Sequence, residues 1–359
     1  MFGFYISLPF LLFALYRLFI VLYNYFTRPF LPVGVPKDNP LVSIVVPVNP
    51  DNNVKNLLLG LCNQTYRNLE ILVYCDKVNS ISFEIIQDFS KADGRVKFVE
   101  ASTIPEGWIA KNYIYDFVSQ LFKGQYIIFV DADIVVEKEI VANALSYMQL
   151  NDLSLLTMFP KQVSASQWDK ALDYTKYWTL LSMTPLKIIM SSKKGSLSIN
   201  DKRFMMFEAS SYKSKRWHEK YKGFQGIDFV IGRYLKKSQL KIAALLCNNE
   251  IVFTPSNDSL ENPSLFFFNF FGRNKNRLIT FTIFTTLGFL FAIFLLPFPL
   301  VFLYLFSIIF ARLMFAMLYG KSTIITLLLL PIHHIVFVYT VVRFIKTKGN
   351  VVKNSMAVV

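Results

Sequence analysis

The chain has 359 residues, a net charge of +14 and a mean hydropathy of +0.40, with 53% hydrophobic and 17% charged residues. So high a hydropathy argues against an ordinary soluble protein and predicts a chain divided between membrane-spanning segments and a polar domain. The three cysteines, Cys62, Cys75 and Cys247, have no metal-binding or redox spacing. We therefore expect reduced thiols in a cytosolic domain.

The N-terminal segment is apolar almost throughout from residue 2 to residue 26 and is interrupted by Arg17. It is too long for the apolar core of a signal peptide and has no clear cleavage site. Residues 1–27 are therefore predicted to form a transmembrane anchor, although a helix lying on the membrane surface is an alternative. Arg28 and Lys37 follow this segment, which places the next domain on the cytoplasmic side of a cell membrane.

The polar stretch from residue 37 to residue 277 has the size of one α/β domain. Strands are predicted at 41–47, 69–74, 96–99 and 126–130, and helices at 54–62, 82–90 and 112–122. Strands that alternate with helices of this length favour βαβ units and a parallel sheet. This is a nucleotide-binding arrangement. The chain nevertheless contains neither the dinucleotide-binding pattern GxGxxG nor the P-loop pattern GxxxxGK[ST].

The predicted strand at 126–130 ends abruptly in Asp131-Ala132-Asp133, a DxD motif. Carboxylates at the carboxyl end of a buried parallel strand lie where open α/β sheets bind ligands. Carboxylate oxygens are also the ligands that Mg²⁺ or Mn²⁺ takes when it bridges to a phosphate. A solvated turn is the alternative interpretation, because aspartate is common in turns.

The C-terminal region is almost continuously apolar from residue 278 to residue 345. The predicted spans are 278–296, 299–319 and 323–345, followed by a polar tail at 346–359. Three crossings would place the three lysines of the tail outside the cell, against the positive-inside rule. The sequence therefore leaves two or three spans open, and the last, which contains Pro331, is the weakest candidate.

The order of motifs in the polar domain resembles that of the family 2 glycosyltransferases, which have the GT-A fold. The matching segments, in order, are the strand ending at Pro47, Gln64-Thr65-Tyr66, Glu70 to Val73, Gly107-Trp108-Ile109-Ala110-Lys111, Asp131-Ala132-Asp133 and Asp228. The similarity covers residues 40–277. The Gly-Trp-x-x-Lys block and the flanking spans look most like bacterial membrane-bound members associated with carotenoid and hopanoid glycosylation. The resemblance implies a mostly parallel sheet with helices on both faces, flanked by transmembrane helices.

The resemblance also implies a nucleotide-sugar donor, usually a UDP-sugar. In the family, acidic turns after the first two strands hold the nucleotide; the matching positions here are Asn49, Asp51 and Asp76. Both turns depart from the family pattern, because the first lacks its usual Asn-Glu pair and the second keeps only one of two acids. By the same resemblance, Trp108 and Lys111 contribute to the donor site. Trp108 could equally fill the edge of the core. The alternative for Lys111 is a surface lysine at the start of a helix.

The family's metal and diphosphate motif corresponds to Asp131 and Asp133, so the resemblance implies Mg²⁺ or Mn²⁺ as cofactor. The family's catalytic base is the aspartate of a Glu-Asp pair at the start of a helix. Asp228 matches that aspartate, whereas Ile227 replaces the glutamate. Direct attack by an acceptor activated by Asp228 would invert the anomeric centre. Asp228 could instead only stabilise the helix N-terminus.

The leading hypothesis is a membrane-bound, inverting transferase that adds one sugar to a hydroxyl or carboxyl of a lipid or isoprenoid-type acceptor. Residues 200–211 are expected near the acceptor, and the run Phe204-Met205-Met206-Phe207 suits an apolar substrate, although core packing explains that run at least as well. A processive polysaccharide synthase of the same fold is one alternative, and an inactive scaffold is another because the nucleotide-binding turns are incomplete. Arg216-Trp217 is similar to the Gln-x-x-Arg-Trp signature of processive synthases, but it precedes Asp228 instead of following it. A nucleic-acid binder is disfavoured, since the lysines are dispersed.

Overall fold

The computed structural model describes residues 2–48, 54–75, 81–100, 102–163, 166–248, 250–253 and 263–348. The chain forms two compact units. The first unit contains Met1–Arg28, Ala165–Ile188 and Leu260–Val359, and the second contains Pro29–Ser164 and Ile189–Ser259. The predicted polar domain at 37–277 included the stretch 165–188, which the structure groups with the apolar helices.

The helices and strands have the following bounds. The strands are β1 (Val42–Pro47), β2 (Leu69–Cys75), β3 (Val96–Glu100), β4 (Tyr126–Val130), β5 (Ile134–Val136), β6 (Leu155–Phe159), β7 (Lys161–Gln162), β8 (Phe204–Glu208), β9 (Ile242–Leu246) and β10 (Ile251–Phe253). The helices are α1 (Phe2–Thr27), α2 (Lys55–Cys62), α3 (Ile81–Ala92), α4 (Ala110–Ser119), α5 (Ile140–Asn151), α6 (Gln167–Met183), α7 (Leu186–Ser191), α8 (Ala209–Lys213), α9 (Trp217–Lys220), α10 (Ile227–Lys237), α11 (Pro263–Phe270), α12 (Lys275–Thr286), α13 (Gly288–Leu295), α14 (Phe298–Tyr319), α15 (Thr323–Leu328) and α16 (Leu330–Lys348).

The second unit is built on a seven-stranded sheet with the order β3-β2-β1-β4-β8-β6-β9. Strand β1 pairs in parallel with β2 and β4, and β2 pairs in parallel with β3. Strand β8 runs antiparallel to both of its neighbours, β4 and β6, and β6 pairs in parallel with β9. The predicted architecture, a mostly parallel α/β sheet flanked by apolar helices, is confirmed.

The central strands are mostly apolar because both faces of the sheet are covered. Strand β4 reads Tyr-Ile-Ile-Phe-Val, and all but its first residue are buried. Its register with β8 pairs Val130 with Phe204. The residues that follow β4 therefore lie beside the residues that precede β8, so the DxD motif faces the segment at 201–203.

The first unit consists of the apolar helices. Helices α1 and α14 are long and apolar enough to cross a membrane, and the number becomes three if α12 and α13, which are bent by 45°, form one broken span. The predicted span at 323–345 is divided between α15 and α16. A cluster of buried side chains joins α1 to α13 and α14. Its members are Phe10, Leu11, Ala14, Ala292, Leu296 and Tyr304.

Candidate active site

Asp131 is held at the carboxyl end of β4 by both its backbone and its side chain. Its N–H donates to the carbonyl of Arg203 at 3.2 Å, which extends the β4–β8 pairing by one residue. The Lys111 ammonium and the Tyr115 hydroxyl both donate to Asp131 Oδ1, the latter at 3.1 Å. Lys111 and Tyr115 are four residues apart on α4 and so project from the same face of the helix. One face of α4 therefore positions the first carboxylate of the DxD motif.

The electrostatics favour an ionised Asp131. Burial raises its pKa, but the positive charges of Lys111 and Lys202 outweigh burial and lower it overall. Burial has the larger effect on Lys111 and lowers its pKa despite the neighbouring carboxylate. Burial and the Asp131 charge together raise the pKa of Tyr115 well above its usual value, so this phenol stays a hydrogen-bond donor. The site thus keeps a carboxylate within a positive environment.

Two basic residues that the sequence did not single out lie at this end of the sheet. Lys202 and Arg203 lie directly before β8, and the positive charges of both lower the pKa of Asp131. Arg203 forms a buried ion pair with Asp201 at 3.2 Å, and its guanidinium lies 4.0 Å from the centre of the Phe253 ring. The charged run Asp201-Lys202-Arg203 next to an apolar strand could have indicated a functional site. Its proximity to Asp131, however, depends on the antiparallel register between β4 and β8.

Asp133 follows Asp131 by one residue and is half-buried, and β5 begins at the next position. Strand β5 pairs antiparallel with β10 in a second, three-stranded sheet. The DxD motif therefore connects the end of one sheet to the start of another. Both of its neighbouring strands are fixed by pairing, which limits the movement of the two carboxylates.

The Gly-Trp-x-x-Lys block turns sharply into α4. Gly107 has a φ of +80°, a left-handed conformation that favours glycine. Trp108 is half-buried and contacts the Tyr113 ring edge-on at 5.5 Å, so it lies at the margin of the unit and not in its core. The N–H of Ile109 donates to the carbonyl of Lys222 at 2.9 Å. The block is thus attached to the loop at 221–226.

Asn112 is the main side chain that fixes this loop. Its Nδ2 lies within hydrogen-bonding distance of three carbonyls, those of Tyr221, Lys222 and Phe224, at 3.2, 3.0 and 3.1 Å. The loop leads directly into α10, which carries Asp228. Helix α4 therefore positions Asp131 through one set of residues and the approach to Asp228 through another. No sequence pattern pointed to Asn112.

Asp228 is the second residue of α10 and is 5% exposed. Gly226 precedes the helix in a left-handed conformation with a φ of +78°. The Asn200 side chain donates to the carbonyl of Asp228 at 2.6 Å. A Cβ on Gly232 would lie 2.2 Å from Asn200 Nδ2, so the close approach of this segment to α10 requires glycine there. The start of α10 is thus anchored to the segment that precedes β8.

Arg216 and Trp217 have structural contacts in the second unit. Arg216 pairs with the buried carboxylate of Asp116 at 2.7 Å, and Trp217 is fully buried against Tyr234. The next residue, His218, is also fully buried and lies 2.5 Å from the Tyr212 hydroxyl. Burial, with a smaller effect of Lys111, lowers the pKa of His218 to about 3, so the imidazole is neutral.

The donor-site positions Asn49, Asp51 and Asp76 lie outside the described residues. The described part of the chain also contains no group of three or more His, Cys, Asp or Glu side chains that could hold a metal ion. Magnesium is commonly bound by one or two carboxylates together with substrate phosphates and water. The two oxygen-donor side chains of the DxD motif fit a Mg²⁺ or Mn²⁺ ion of that kind.

Comparison with known protein families decides the class of this domain. Residues 43–214 match the family model described as "Glycosyl transferase family 2". This segment of the chain is a family 2 glycosyltransferase domain. The predicted family membership is thereby confirmed. Lys111, Asp131 and Asp133 of this glycosyltransferase domain lie within the matched segment, whereas Asp228 lies beyond it.

Individual relatives match only parts of the chain. An uncharacterized glycosyltransferase of Haemophilus influenzae is 28% identical over 120 residues, or 32% of this chain and 34% of that protein. Glycosyltransferase GlyA of Streptococcus pneumoniae serotype 4 is 33% identical over 101 residues, or 28% of this chain and 14% of that protein. The aligned region therefore spans about a third or less of either relative.

Among solved structures, one similar to this chain is the mannosyltransferase PcManGT from Pyrobaculum calidifontis in complex with GDP-Man and Mn²⁺. It is 12% identical, has a TM-score of 0.49, and the alignment covers 94% of this chain and 99% of that chain.

Proposed function

We propose that this protein is a membrane-bound, inverting glycosyltransferase that moves one sugar from a nucleotide-sugar donor to a lipid-like acceptor. The observation that carries the proposal is the Asp131–Lys111 pair at the carboxyl end of β4, inside a family 2 glycosyltransferase domain. Open α/β sheets bind ligands at this end of their strands. A carboxylate kept ionised beside several cations suits a donor whose diphosphate is held through a metal ion.

The donor site in this proposal has two parts. The diphosphate lies near the DxD motif, where Lys111, Lys202 and Arg203 supply positive charge. Trp108 flanks the sugar, and Asn49, Asp51 and Asp76 hold the nucleotide. A UDP-sugar is the donor that we propose to test first, because it is the usual donor of the family.

Asp131 and Asp133 would hold the Mg²⁺ or Mn²⁺ ion. Such an ion, when bound, stabilises the negative charge that develops on the leaving diphosphate. The roles proposed for the other residues do not involve the metal ion. Lys111 and Tyr115 hold Asp131 in place, and Asn112 fixes the loop before α10. Asp228 accepts the proton of the acceptor group while the acceptor oxygen bonds to the anomeric carbon and the bond from that carbon to the diphosphate breaks on the opposite face. This direct displacement inverts the anomeric carbon.

The proposed acceptor is a lipid or isoprenoid-type molecule in the cell membrane, with the catalytic domain in the cytoplasm. Two features support this part of the proposal. Helices α1 and α14 have the length and composition of membrane spans. The polar flank after α1 contains Arg28 and Lys37, as expected of a cytoplasmic segment.

The direct test uses purified full-length protein with UDP-glucose or another nucleotide sugar, Mn²⁺ and a membrane lipid extract. The expected result is release of the nucleoside diphosphate and formation of a single glycolipid with inverted anomeric configuration. A ladder of products would instead identify a processive synthase. No turnover with any nucleotide sugar would indicate an inactive scaffold.

The role of Asp228 is tested with Asp228→Asn, which keeps the shape of the side chain but cannot accept the proton. We expect turnover to fall at least about 100-fold, the lower end of the effect of a general base. The thermal midpoint should remain unchanged. Full activity in this variant would remove Asp228 from the mechanism without affecting the assignment of the donor site.

A further inference from the structure

Lys236 is a buried lysine on the helix that carries Asp228. It lies near the C-terminal end of α10 and is 1% exposed. Lysine is almost never fully buried unless its charge is paired. Within the described part of the chain, however, no carboxylate forms an ion pair with Lys236. Its ammonium donates instead to the backbone carbonyls of Ile189 and Ser192.

The two carbonyls belong to the last turn of α7 and to the residue that follows it. The last carbonyls of an α-helix have no partner within the helix, so a cation from another segment can satisfy them. Burial lowers the pKa of Lys236 to about 8, which leaves the ammonium mainly charged at pH 7. Separation would leave a buried charge without hydrogen bonds, which is unfavourable. Lys236 therefore fixes α10 to the end of α7.

The chain that follows α7 runs beside α10 towards Asp228. A short 3₁₀ helix at Gly195–Leu197 packs against α10. A Cβ on its first residue would lie 3.4 Å from the carbonyl oxygen of Arg233. Further on, the Asn200 side chain donates to the carbonyl of Asp228 at 2.6 Å. The segment 189–200 is thus attached near both ends of α10, and we call it the 189–200 strap.

The 189–200 strap also has hydrogen bonds of its own. The Lys194 N–H donates to Ser192 Oγ at 3.1 Å, and the Leu197 N–H donates to the Lys194 carbonyl at 3.0 Å. The Ser198 hydroxyl donates to the Gly195 carbonyl at 2.9 Å. These bonds stabilise the shape of the strap between its two attachments. A change at one attachment is therefore expected to affect the other.

We propose that the 189–200 strap positions Asp228, and that Lys236 is the positioning residue that anchors the strap to α10. This inference rests on the proposed function, because it takes Asp228 as the base. Lys236 follows Asp228 by eight residues, about 12 Å along the helix axis, so it acts through the helix and not on the substrate. Misplacement of a reacting group by about 1 Å can cost about 100-fold in rate, so a loosened α10 lowers turnover.

The anchor is tested with Lys236→Met, because methionine is apolar and of similar length but cannot donate to the two carbonyls. The matched control is Lys237→Met, which removes the same charge from the exposed neighbouring position. Hydrogen exchange is measured on the purified full-length protein in detergent, at the amides of residues 231–235 in α10. We expect exchange to be about ten-fold faster in Lys236→Met and unchanged in Lys237→Met, since local opening of the helix controls it.

This measurement does not depend on activity. Wild-type exchange in a folded Lys236→Met protein would overturn the proposal, whether or not the protein turns over a nucleotide sugar. Absence of turnover in the wild type would instead contradict the proposed function and leave the attachment of α10 to be read from the exchange rates.

The link to Asp228 is tested with a double-mutant cycle of Lys236→Met and Asp228→Asn. Rates of nucleoside diphosphate release are divided by the number of sites that bind the nucleotide, so that unfolded protein is not counted. If Lys236 acts through Asp228, Lys236→Met should lower the rate at least about ten-fold in the wild type but less than about two-fold in Asp228→Asn. The KM for the nucleotide sugar should not change, because Lys111 and Asp131 lie on other elements.

Equal losses in the two backgrounds would mean that Lys236 only stabilises the fold, and would overturn the proposal. Full activity of Asp228→Asn by itself would refute the proposed base, and with it the catalytic role of the 189–200 strap.

Asn200→Ala detaches the other end of the strap, and it repeats both measurements should Lys236→Met fail to fold. Its matched control is Asn151→Ala, which removes a side-chain hydrogen bond to a carbonyl within α5. We expect faster exchange in α10 and slower turnover in Asn200→Ala only. A folded Asn200→Ala protein with wild-type exchange and turnover would overturn the proposal.

Discussion

The two units of this protein accommodate buried charge in different ways. In the glycosyltransferase unit, buried or partly buried cations face carboxylates, as in the pairs Lys111–Asp131 and Arg203–Asp201. In the helical unit, Arg17 and Arg312 are 8% and 3% exposed, and both guanidinium groups lie over the ring of Trp178, 4.4 and 3.9 Å from its centre. In the helical unit, aromatic rings therefore contact the buried cations, as carboxylates do in the glycosyltransferase unit.

The two buried arginines of the helical unit differ in their hydrogen bonds. Arg17 also donates two hydrogen bonds to the Ser182 hydroxyl, whereas Nε and Nη1 of Arg312 have no hydrogen-bond partner among the described residues. A guanidinium is more weakly hydrated than an ammonium and stacks well on aromatic rings, so arginine suits such a site better than lysine. The contrast shows that helix α6, which carries Trp178, is joined to the apolar helices by contacts with their buried arginines.

The largest expected effect concerns Trp178. Replacement by alanine removes a buried indole and the cation–π contacts of two arginines, so the free energy of unfolding should fall by about 4 kcal/mol. Trp168→Ala, on the same helix but 45% exposed, is the matched control and should cost less than half as much. Thermal unfolding in detergent measures both. Equal losses of unfolding free energy in the two variants would contradict a stabilising role of the contacts between Trp178 and the two arginines.

The second prediction concerns the paired charges of the glycosyltransferase unit. Lys111→Met leaves the Asp131 carboxylate without its main cation and should lower the free energy of unfolding by about 2 kcal/mol. The double variant Lys111→Met/Asp131→Asn should recover part of that loss, because it removes both charges. Chemical unfolding of the four proteins of this double-mutant cycle gives the coupling. Strictly additive losses would mean that the pair contributes nothing.

A smaller effect is expected from Asn112→Ala. The loss of hydrogen bonds to the loop at 221–224 should lower the free energy of unfolding by about 1 kcal/mol. Turnover should fall more than stability suggests, because the loop positions α10 and Asp228. Asn151→Ala is the control, since that side chain donates to the carbonyl of Tyr147 in its own helix. Unchanged turnover in Asn112→Ala would separate the loop from the active site.

A pH dependence of stability is expected from His218. Its folded pKa of about 3 lies below the ordinary value of 6.5, so the unfolded state binds more protons between these pH values. Its contribution to stability is therefore complete above pH 6.5 and declines as the pH falls, by at most about 1.4 kcal/mol per pH unit. Thermal midpoints at pH 7.5 and 5 should differ more in the wild type than in His218→Gln. An identical difference would assign the pH dependence to other groups.

Much of the sheet was predictable because its strands are short, uniformly apolar runs that end in turn residues. The strand before Asp131 was expected at 126–130, and β4 has those bounds. The antiparallel strand β8 was not predicted, since a buried antiparallel strand has the same composition as a buried parallel one. The contribution of Lys202 and Arg203 was missed for the same reason, because their approach to Asp131 depends on that strand's direction.

Helix α6 illustrates a second limit. Its sequence contains Asp169, Lys170, Asp173 and Lys176, so its hydropathy resembles that of a soluble helix. What places it with the apolar helices is a set of individual contacts, such as the 2.6 Å hydrogen bond between Tyr319 and the Asp173 carboxylate. Contacts between residues nearly 150 positions apart leave no periodic signal in the sequence. The candidate site was easier to predict from the sequence, because Lys111 and Asp131 each lie in a short motif that can be recognised by itself.

The measurement that tests the central claim most directly is Mn²⁺-dependent release of the nucleoside diphosphate by Asp133→Ala. Asp88→Ala, which removes an exposed carboxylate from α3, is the control. With a DxD motif that holds the metal and the diphosphate, Asp133→Ala should lose at least about 100-fold in rate while Asp88→Ala keeps the wild-type rate. Wild-type release by a folded Asp133→Ala protein would contradict the account.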